Sequence, residues 1–434
     1  MKMNKEELAL DLIDFLYKSP SAYQAVATIK ERLDKDGFVE LEEADTWKLV
    51  SEGKYYVTKN DSALIAFKVG TEDVENSGFK IIGAHTDSPG FRVKAKPEMV
   101  SEKTYLKFNT EVYGGPLLYT WFDRPLGLAG KVTVKGESAL KPEVKLVNID
   151  RPILIIPSVA IHMNRTVNEG FAINKQKDTL PLVGLINDTL EKENFLVNLL
   201  ATELGVKAED ILGFDLGPYE VVKGNLGGVN NEFISSGRLD DLWMVYAGIV
   251  GLVDSKNTKT TNVMVCVDNE EIGSHTAQGA NSALILNILE RISLALGKNR
   301  EGLHKALANS VMISADLAHA IHPNAEEKHD PTNRPVMGGG PVLKTAASGS
   351  YSTDSYNAAI FDGLCKTCDV PYQTFFNRSD VRGGSTIGPM AASRLTIPVI
   401  DMGAPLLSMH SVRELATVDD NYYTVKLFTE FYNA

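Results

Sequence analysis

The stretch TNVMVCVDNEEIGS, residues 261–274, joins a buried-strand pattern to a cluster of carboxylates. Residues 263–267 are an uninterrupted run of mainly β-branched apolar residues, which is typical of a strand buried on both faces in a parallel sheet. Asp268, Glu270 and Glu271 follow almost directly. Because carboxylates crowded at the end of a buried strand repel one another and lose hydration, a cation is the simplest compensation. The alternative is a solvated acidic turn, which other ligand-type residues at other strand ends would argue against.

The composition argues against several classes of protein. The chain has 434 residues, enough for two or three domains, and its formal net charge of −12 predicts no nucleic-acid partner and no anionic-membrane partner. No apolar run reaches the roughly 18 residues of a membrane helix and the N-terminus shows no signal pattern, so we expect a cytoplasmic protein. Three cysteines are too few for a disulfide framework. For Cys365 and Cys368, spaced as C-x-x-C, two small residues closing a helix are favoured over a zinc knot, and their role is left open.

Strand and helix patterns alternate on both sides of the opening stretch. Three further short apolar runs end near ligand-type side chains: residues 79–84 before His85, 311–315 before Asp316, and 396–402 before His410. A helix pattern covers residues 239–253, with Asp240 and Asp241 in its first turn, where acidic side chains complement the helix dipole. The alternation predicts an α/β fold with a mixed, mainly parallel central sheet flanked by helices.

A different pattern occupies residues 92–235. Short alternating segments punctuated by Gly, Pro and Asp predict an antiparallel β-rich domain, interrupted by one amphipathic helix at residues 189–204. We therefore predict a discontinuous domain of residues 1–91 plus 236–434 with a β-rich insertion of residues 92–235. His162 lies among apolar neighbours in the insertion, and the residues alone favour a satisfied structural histidine there.

Five separate segments carry a metal-capable side chain at a strand end or a helix start. They are His85, Asp240, Glu271, Asp316 and His410. Two imidazoles and three carboxylates suit two divalent ions that share one bridging carboxylate, and such ligands favour zinc, cobalt or manganese over calcium. Glu270 is then free to act as a base. Asp87, two residues after His85, has the spacing to accept the second imidazole N–H.

Six sequence strings together resemble a known family. They are HTDSPG from His85, GRLDDL from Gly237, DNEEIGS from Asp268, SADLAHAIHPN from Ser314, GGSTIGP from Gly383 and MHSVRE from Met409. In unbroken order over nearly the whole chain, they resemble the aspartyl aminopeptidase family of dinuclear-zinc exopeptidases. The resemblance implies that two zinc ions are bound by His85, Asp240, Glu271, Asp316 and His410. It also implies that Asp240 bridges the two ions and that Glu270 is the general base.

The resemblance further implies an assembly and a substrate pocket. The family interrupts its peptidase domain with a β-rich domain used in subunit contacts and forms dodecamers built from dimers. His162 matches a histidine that reaches into the neighbouring subunit's site, which reverses the interpretation from the residues alone. Lys344 and Tyr351 match positions lining the substrate pocket, and a cation at Lys344 would suit an acidic side chain. The alternative for Lys344 is a strand-edge lysine in solvent. Asp241 stands where many members have Asn, which adds negative charge without removing a ligand.

The resemblance implies a zinc-dependent aminopeptidase that hydrolyses the N-terminal residue of peptides with a free N-terminus, and Lys344 favours a preference for Asp or Glu. A water between two divalent ions would lose a proton to Glu270 and attack the first peptide carbonyl. The alternatives are an aminopeptidase for neutral residues, a deacylase or carboxypeptidase on the same ligand set, and a catalytically silent scaffold. Glu270 argues against a scaffold, because a binding protein needs no unligated base beside its metals.

Overall fold

The structure, a computed structural model, describes residues 3–187, 194–256, 259–381 and 383–434. Within these residues the α-helices are α1 (Lys5–Lys18), α2 (Ala22–Lys35), α3 (Val74–Ser77), α4 (Phe195–Leu204), α5 (Leu239–Asp254), α6 (Leu284–Ala295), α7 (Arg300–Ala308), α8 (Ser355–Thr367), α9 (Ile387–Leu395) and α10 (Val418–Asn433). The β-strands are β1 (Val39–Glu40), β2 (Lys54–Lys59), β3 (Ala63–Lys68), β4 (Phe79–His85), β5 (Gly90–Ser101), β6 (Tyr105–Tyr113), β7 (Leu126–Ser138), β8 (Lys141–Leu154), β9 (Leu182–Leu185), β10 (Ile211–Glu220), β11 (Asn225–Gly227), β12 (Phe233–Ser236), β13 (Thr261–Val267), β14 (Val311–Ala315), β15 (Ala318–His319), β16 (Val342–Lys344), β17 (Gln373–Phe375), β18 (Val399–Gly403), β19 (Pro405–Leu406) and β20 (Glu414–Thr417).

The chain divides into two compact units. The first comprises Met1–Asp87, Gly224–Met409 and Glu414–Ala434, and the second comprises Ser88–Lys223 and His410–Arg413. The predicted insertion, residues 92–235, overlaps the second unit, and its role in dimer contacts remains a prediction. Among the residues that the structure describes, no helix has both the length and the apolar character needed to cross a bilayer.

The first unit is built on a nine-stranded sheet with the strand order β1-β2-β3-β13-β4-β14-β18-β16-β17. The four central strands β13, β4, β14 and β18 run parallel to one another. The strands that flank them, β3 and β16, are antiparallel to β13 and β18. The predicted mixed, mainly parallel sheet is confirmed. Because parallel strands end at the same edge of a sheet, this topology brings the segments that follow β4, β13 and β14 together.

Alternate side chains of β13 enter two hydrophobic clusters on opposite faces of the sheet. Met264 and Cys266 lie in a cluster with Trp243 of α5 and residues of α1, α2, α8 and α10. Val265 lies in the other cluster with Ile288 of α6 and residues of α7 and α9. All seven residues of β13 are buried. The strand therefore lacks a polar face, as its uninterrupted apolar sequence predicts.

The first turn of α5 differs from the regular helix that the sequence predicts. The backbone at Asp240 (φ −80°, ψ 110°) and Asp241 (φ −117°, ψ 16°) is not helical, so the regular helix begins after them. Both side chains are buried, and Asp241 Oδ2 accepts a hydrogen bond from the backbone N–H of His85 at 3.0 Å. The two residues therefore precede the first regular turn of the helix rather than lying within it. Their carboxylates face the end of β4.

Other helices differ from their predicted bounds mainly at the ends. α7 was not predicted from the sequence. The described part of the helix predicted at 189–204 is α4, while residues 188–193 lie outside the described part of the chain. Cys365 and Cys368 close α8, as predicted, and burial raises the pKa of their thiols to about 12 and about 11.

The described part of the second unit is built mainly from antiparallel strands, with α4 and three short 3-10 turns. Its two three-stranded sheets have the orders β10-β7-β8 and β5-β6-β9, and every strand pair in them is antiparallel. Phe108, Trp121 and Leu128 lie in its hydrophobic core with Leu196 and Leu200 of α4. The prediction of a β-rich insertion with one amphipathic helix therefore agrees with this architecture.

Asp420, in the first turn of α10, holds a glycine turn of the first unit in place. Its fully buried carboxylate accepts hydrogen bonds from the backbone N–H groups of Gly338 (2.6 Å) and Gly340 (2.8 Å) and from Thr417 Oγ1 (2.5 Å). Asp420→Ala deprives both N–H groups of their acceptor and is expected to lower the free energy of unfolding by about 2–3 kcal/mol. Urea denaturation measures this change.

The neighbouring Asp419 provides the control for this prediction. It lies one residue earlier in the same turn, and its side chain is half exposed and pairs with Lys5 Nζ at 2.6 Å. Because exposed ion pairs contribute little, Asp419→Ala is expected to change the free energy of unfolding by no more than about 0.5 kcal/mol. Equal losses in the two variants would contradict the role given to the buried hydrogen bonds.

Candidate metal centre

Three parallel strands of the first unit bring ligand-type side chains to one edge of the sheet. β4 ends on His85, which pairs in register with Val267 at the end of β13. Glu270 and Glu271 begin a 3-10 turn directly after β13. Asp316 follows β14, the neighbour of β4 on its other side. Side chains from sequence positions more than 200 residues apart therefore meet at this edge.

His85, Asp240, Asp241 and Asp316 form one compact cluster. Each offers a ligand atom that lies within 4.8 Å of those of the others, and His85 Nε2 is 3.5 Å from Asp240 Oδ1. His85, Glu270 and Glu271 form a second group by the same distance. Burial raises the pKa of Asp241 and of Asp316, because water is removed from carboxylates that also face one another. The site therefore concentrates negative charge where hydration is poor.

Asp87 orients both His85 and the turn that carries the two glutamates. His85 Nδ1 lies 3.0 Å from the backbone oxygen of Asp87 and 3.3 Å from its Oδ1. The same carboxylate accepts hydrogen bonds from the backbone N–H groups of Glu270 (3.1 Å) and Glu271 (3.2 Å). With a cation bound, a proton on Nδ1 directed at Asp87 would leave the lone pair of His85 Nε2 free to bind that cation. The two backbone bonds to the glutamate turn were not foreseen from the sequence.

Asn269, which directly precedes Glu270, connects the start of the glutamate turn to residues 276 and 278. Its backbone is left-handed (φ 63°), a conformation that Asn tolerates better than most residues. Its Oδ1 accepts hydrogen bonds from Thr276 Oγ1 (2.9 Å) and Gln278 Nε2 (3.0 Å).

Glu270, the next residue, is largely buried. Burial raises the pKa of Glu270 to about 8, and the charges of Asp316 and Glu271 add to the shift.

Lys344, at the end of β16, lies beside Asp316 rather than in solvent. It is 2% exposed, and its Nζ donates to the backbone oxygen of Leu317 at 3.1 Å and lies 3.9 Å from Asp316 Oδ2. The alternative of a solvated strand-edge lysine is therefore wrong. Nζ also lies 5.1 Å from the centroid of the Tyr351 ring, which in turn contacts the Phe375 ring edge-on at 6.4 Å between centroids.

Comparison with known proteins identifies the family. Residues 15–432 match the family described as aminopeptidase I zinc metalloprotease (M18). The chain belongs to the M18 aminopeptidase family. The predicted family and the predicted class of enzyme are thereby confirmed, and the protein is a zinc-dependent metallo-exopeptidase that hydrolyses peptides at their N-terminus.

Individual members of the M18 family match over nearly their whole length. The probable M18 family aminopeptidase 2 of Clostridium novyi (strain NT) is 57% identical over 430 residues, 99% of each chain. The solved complex of Ape4 and Nbr1 contains a chain with a TM-score of 0.95 and 36% identity, and the match covers 99% of this chain and 86% of that one. The S. cerevisiae mApe1 dodecamer has a TM-score of 0.86 at 30% identity, with 99% and 97% covered.

The clustered side chains at the sheet edge have donor atoms that suit zinc, the metal named for the M18 family. Imidazole and carboxylate oxygen are common zinc donors, and both occur in the cluster of His85, Asp240 and Asp316. Asp241 Oδ1 is buried without a hydrogen-bond partner in the described structure. Several buried carboxylates this close together are costly unless a cation compensates them. The donor set and the local charge therefore both suit a divalent cation.

Two predicted site residues of this M18 enzyme belong to the second unit. His410 has a left-handed backbone (φ 66°), and its Nδ1 lies 3.0 Å from the backbone oxygen of Gly115. His162 is exposed on the 3-10 turn Ile161–Met163. The expectation from the residues alone, a satisfied structural histidine among apolar neighbours, is therefore wrong for His162. The roles that the resemblance implies for these two histidines remain predictions.

Proposed function

We propose that this enzyme removes acidic residues from the N-terminus of peptides, with two zinc ions per subunit and Glu270 as the general base. The proposed ligands are His85, Asp240, Glu271, Asp316 and His410, with Asp240 shared between the ions. The main support is one observation, the buried cluster of His85, Asp240 and Asp316 beside the largely buried Glu270. Cobalt or manganese would suit the same donors.

The chemistry divides between the metal and the protein. When bound, zinc supplies Lewis acidity, which lowers the pKa of water and polarises a carbonyl group. Glu270 accepts the proton of the attacking water and later returns it to the leaving amine. The charge of bound ions would lower the pKa of Glu270 from its raised value in the metal-free site, which would leave its carboxylate available to accept a proton near pH 7. The bonds from Asp87 to the backbone of Glu270 and Glu271 hold the base beside its neighbour.

Lys344 supports the proposed preference for acidic residues. Its ammonium group is buried and lies between the Tyr351 ring and the Asp316 carboxylate. A desolvated cation stabilises a substrate carboxylate more strongly than a solvated one, because charge-assisted hydrogen bonds gain strength where water is excluded. A neutral substrate side chain gains nothing from that charge. An aminopeptidase for neutral residues is the alternative within the family.

A panel of aminoacyl substrates tests the preference. With zinc, cobalt and manganese in turn, kcat/KM for aspartyl and glutamyl substrates is expected to exceed that for leucyl and alanyl substrates by about 10- to 100-fold, the value of one charged hydrogen bond. Lys344→Met is expected to reduce this ratio to near unity by slowing only the acidic substrates. Faster cleavage of the leucyl substrate by the wild-type enzyme would overturn the acidic preference.

N-acetylated versions of the same substrates separate this proposal from its rivals. An aminopeptidase requires the free amine, so N-acetyl-aspartyl substrates are expected to remain uncleaved. A deacylase on the same ligand set would cleave them, and a carboxypeptidase would release the residue at the other end of the peptide. A scaffold would cleave none of them.

We also propose a homo-oligomer, a dodecamer built from dimers. The support is the S. cerevisiae mApe1 dodecamer, whose chain has a TM-score of 0.86 with this one. His162 is exposed between Ile161 and Met163, which are 43% and 77% exposed, and this turn would carry His162 to a neighbouring subunit. The native mass in solution tests the dodecamer. The cytoplasmic location stays a prediction.

A further inference from the structure

Asp401 is a fully buried carboxylate of the central sheet that has no part in the proposed metal cluster. It lies on β18, paired in register with Ser314 of β14, two residues before Asp316. Its Oδ1 accepts a hydrogen bond from Thr386 Oγ1 at 2.5 Å, and its Oδ2 accepts one from the backbone N–H of Ser352. Its own backbone N–H donates to Thr353 Oγ1 at 2.8 Å.

The bonds of Asp401 join two loops that are far apart in the sequence. Ser352 follows Tyr351 directly. The bond from the Ser352 N–H to Asp401 therefore fixes the loop that carries the Tyr351 ring over Lys344. Thr386 ends the glycine-rich loop of residues 383–386 and caps α9, because its Oγ1 also accepts from the N–H of Gly388 at 3.2 Å. One carboxylate therefore sets the position of both loops.

Close packing requires a glycine where the start of α9 meets the carboxylate of Asp401. A side-chain carbon at position 388 would collide with the carboxylate of Asp401, so only glycine lets α9 begin against it. Burial raises the pKa of Asp401, and the bonds from Thr386 and Ser352 and the charge of Lys344 oppose that shift. An apolar residue would fill the same space without the cost of burying a carboxylate. An apolar residue could not accept the hydrogen bonds from Thr386 and Ser352. The carboxylate of Asp401 accepts both and so connects the two loops.

We infer that Asp401 is a positioning residue, which fixes Tyr351 beside Lys344 and ties its loop to the glycine-rich loop, and thereby shapes the pocket for the substrate's N-terminal side chain. The inference rests on the proposed substrate-binding role of Lys344 and Tyr351. Asp401 touches neither the substrate nor the metal ligands in this role. Its loss should therefore change how well the substrate binds and leave the chemical step and the zinc content intact.

Asp401→Asn tests the inference with almost no change of volume. With its oxygen accepting from the Ser352 N–H, the amide turns its NH₂ group towards Thr386 Oγ1, so the charge-assisted bond from the Thr386 hydroxyl to a carboxylate is replaced by a weaker neutral bond of opposite direction. The expected result, in the zinc-loaded full-length enzyme, is a rise of about 10-fold in KM for the aspartyl substrate, the effect of replacing one buried charge-assisted hydrogen bond by a neutral one. The value of kcat should stay within about 3-fold, and elemental analysis should find the wild-type zinc content.

Substitutions at Thr386 test the inference independently and include a variant that should restore the wild-type KM. Thr386→Val keeps the shape but removes the hydroxyl that bonds Asp401, so it should raise KM as Asp401→Asn does. Thr386→Ser keeps the hydroxyl and should restore a KM near the wild-type value. If Asp401→Asn does not fold, this pair alone decides the question. An unchanged KM in Thr386→Val would then overturn the inference.

Tyr432→Phe is the matched control for lost stability. Its hydroxyl donates to the backbone oxygen of Val263, at the start of β13 and thus at the far end of that strand from the glutamate turn. The variant loses one buried hydrogen bond of the same sheet, so it should lower Tm comparably with KM unchanged. Equal KM values in Asp401→Asn and wild type would overturn the inference, as would an equal rise of KM in Tyr432→Phe.

The wild-type substrate panel keeps the two proposals separable. If wild type prefers neutral residues, the proposed acidic preference fails. The Asp401 inference is then tested on the preferred neutral substrate, with the same expected rise in KM relative to wild type. If wild type prefers acidic residues and KM does not respond in Asp401→Asn and Thr386→Val, only the inference fails.

Discussion

Glu270→Gln is expected to keep the zinc content of the wild-type enzyme and to lower kcat by about 10³- to 10⁴-fold, the upper range for a general base. The amide has the size of the carboxylate but cannot accept a proton at neutral pH. The backbone N–H of Glu270, which donates to Asp87, is unchanged by the substitution. The loss should therefore fall on turnover alone, with KM changed little.

The measurement is steady-state kinetics on an aspartyl substrate together with elemental analysis of the purified variant. Asp268→Asn is the matched control, since it makes the same carboxylate-to-amide change two residues earlier. Its Oδ1 can still accept the hydrogen bond from the Asn269 N–H, which is 2.7 Å long in the wild-type protein. Turnover in this control should stay within about 10-fold of wild type. A Glu270→Gln enzyme that keeps more than a tenth of its turnover would contradict the assignment.

Asp240→Ala is expected to reduce bound zinc to less than about a tenth of the wild-type content and to abolish hydrolysis, because a proposed bridging ligand serves both ions. The metal-free variant should be no less stable than the metal-free wild type. Removing one of several crowded, buried carboxylates relieves repulsion with Asp316 and Asp241. Zinc loss without a lower Tm of the metal-free protein separates lost binding from misfolding.

Asp241→Asn is the control for this prediction. Asp241 is the next residue and is equally buried, but the proposal gives it no metal. An asparagine oxygen can still accept the hydrogen bond from the His85 N–H, which the Asp241 carboxylate accepts at 3.0 Å. Zinc content and turnover should both stay close to wild type. Full zinc occupancy in Asp240→Ala, or equal losses in both variants, would contradict the bridging role.

The sequence predicts the site where chemistry follows directly from a strand pattern. The apolar run of β13 ends before Asp268, and the runs of β4 and β14 end at His85 and before Asp316. Parallel strands bring such ends together, so the meeting of these side chains was predictable without knowing any loop. The mixed sheet follows from the same alternation of strands and helices.

What the sequence could not predict depends on contacts between distant segments. From the sequence alone, Lys344 could equally be a solvated strand-edge lysine. Its sequence neighbours do not reveal that Asp316 and the Leu317 oxygen lie beside its ammonium group. Asp240 and Asp241 read as helix-start residues, since a local pattern favours the dipole interaction over the bond from His85 to Asp241.

Two local features could have been found from the sequence. α7 has a capping asparagine, Asn299, whose side chain accepts from the Gly302 N–H, followed by buried Leu303 and Leu307 at helical spacing. Asn269 lies in a left-handed position just before Glu270, where Asn is among the residues that tolerate it. Each is a signal in the chain itself, whereas the bonds of Asp87 and Asp401 require the folded sheet.

Zinc titration into chelator-stripped enzyme tests the central claim most directly. Hydrolysis of a free-amine aspartyl peptide is measured beside its N-acetylated form as zinc is added back. Activity on the free-amine peptide is predicted to vanish without metal and to return in full at two zinc ions per subunit, with the acetylated peptide uncleaved throughout. Full activity in the stripped enzyme, saturation at one ion per subunit, or cleavage of the acetylated peptide would contradict the account.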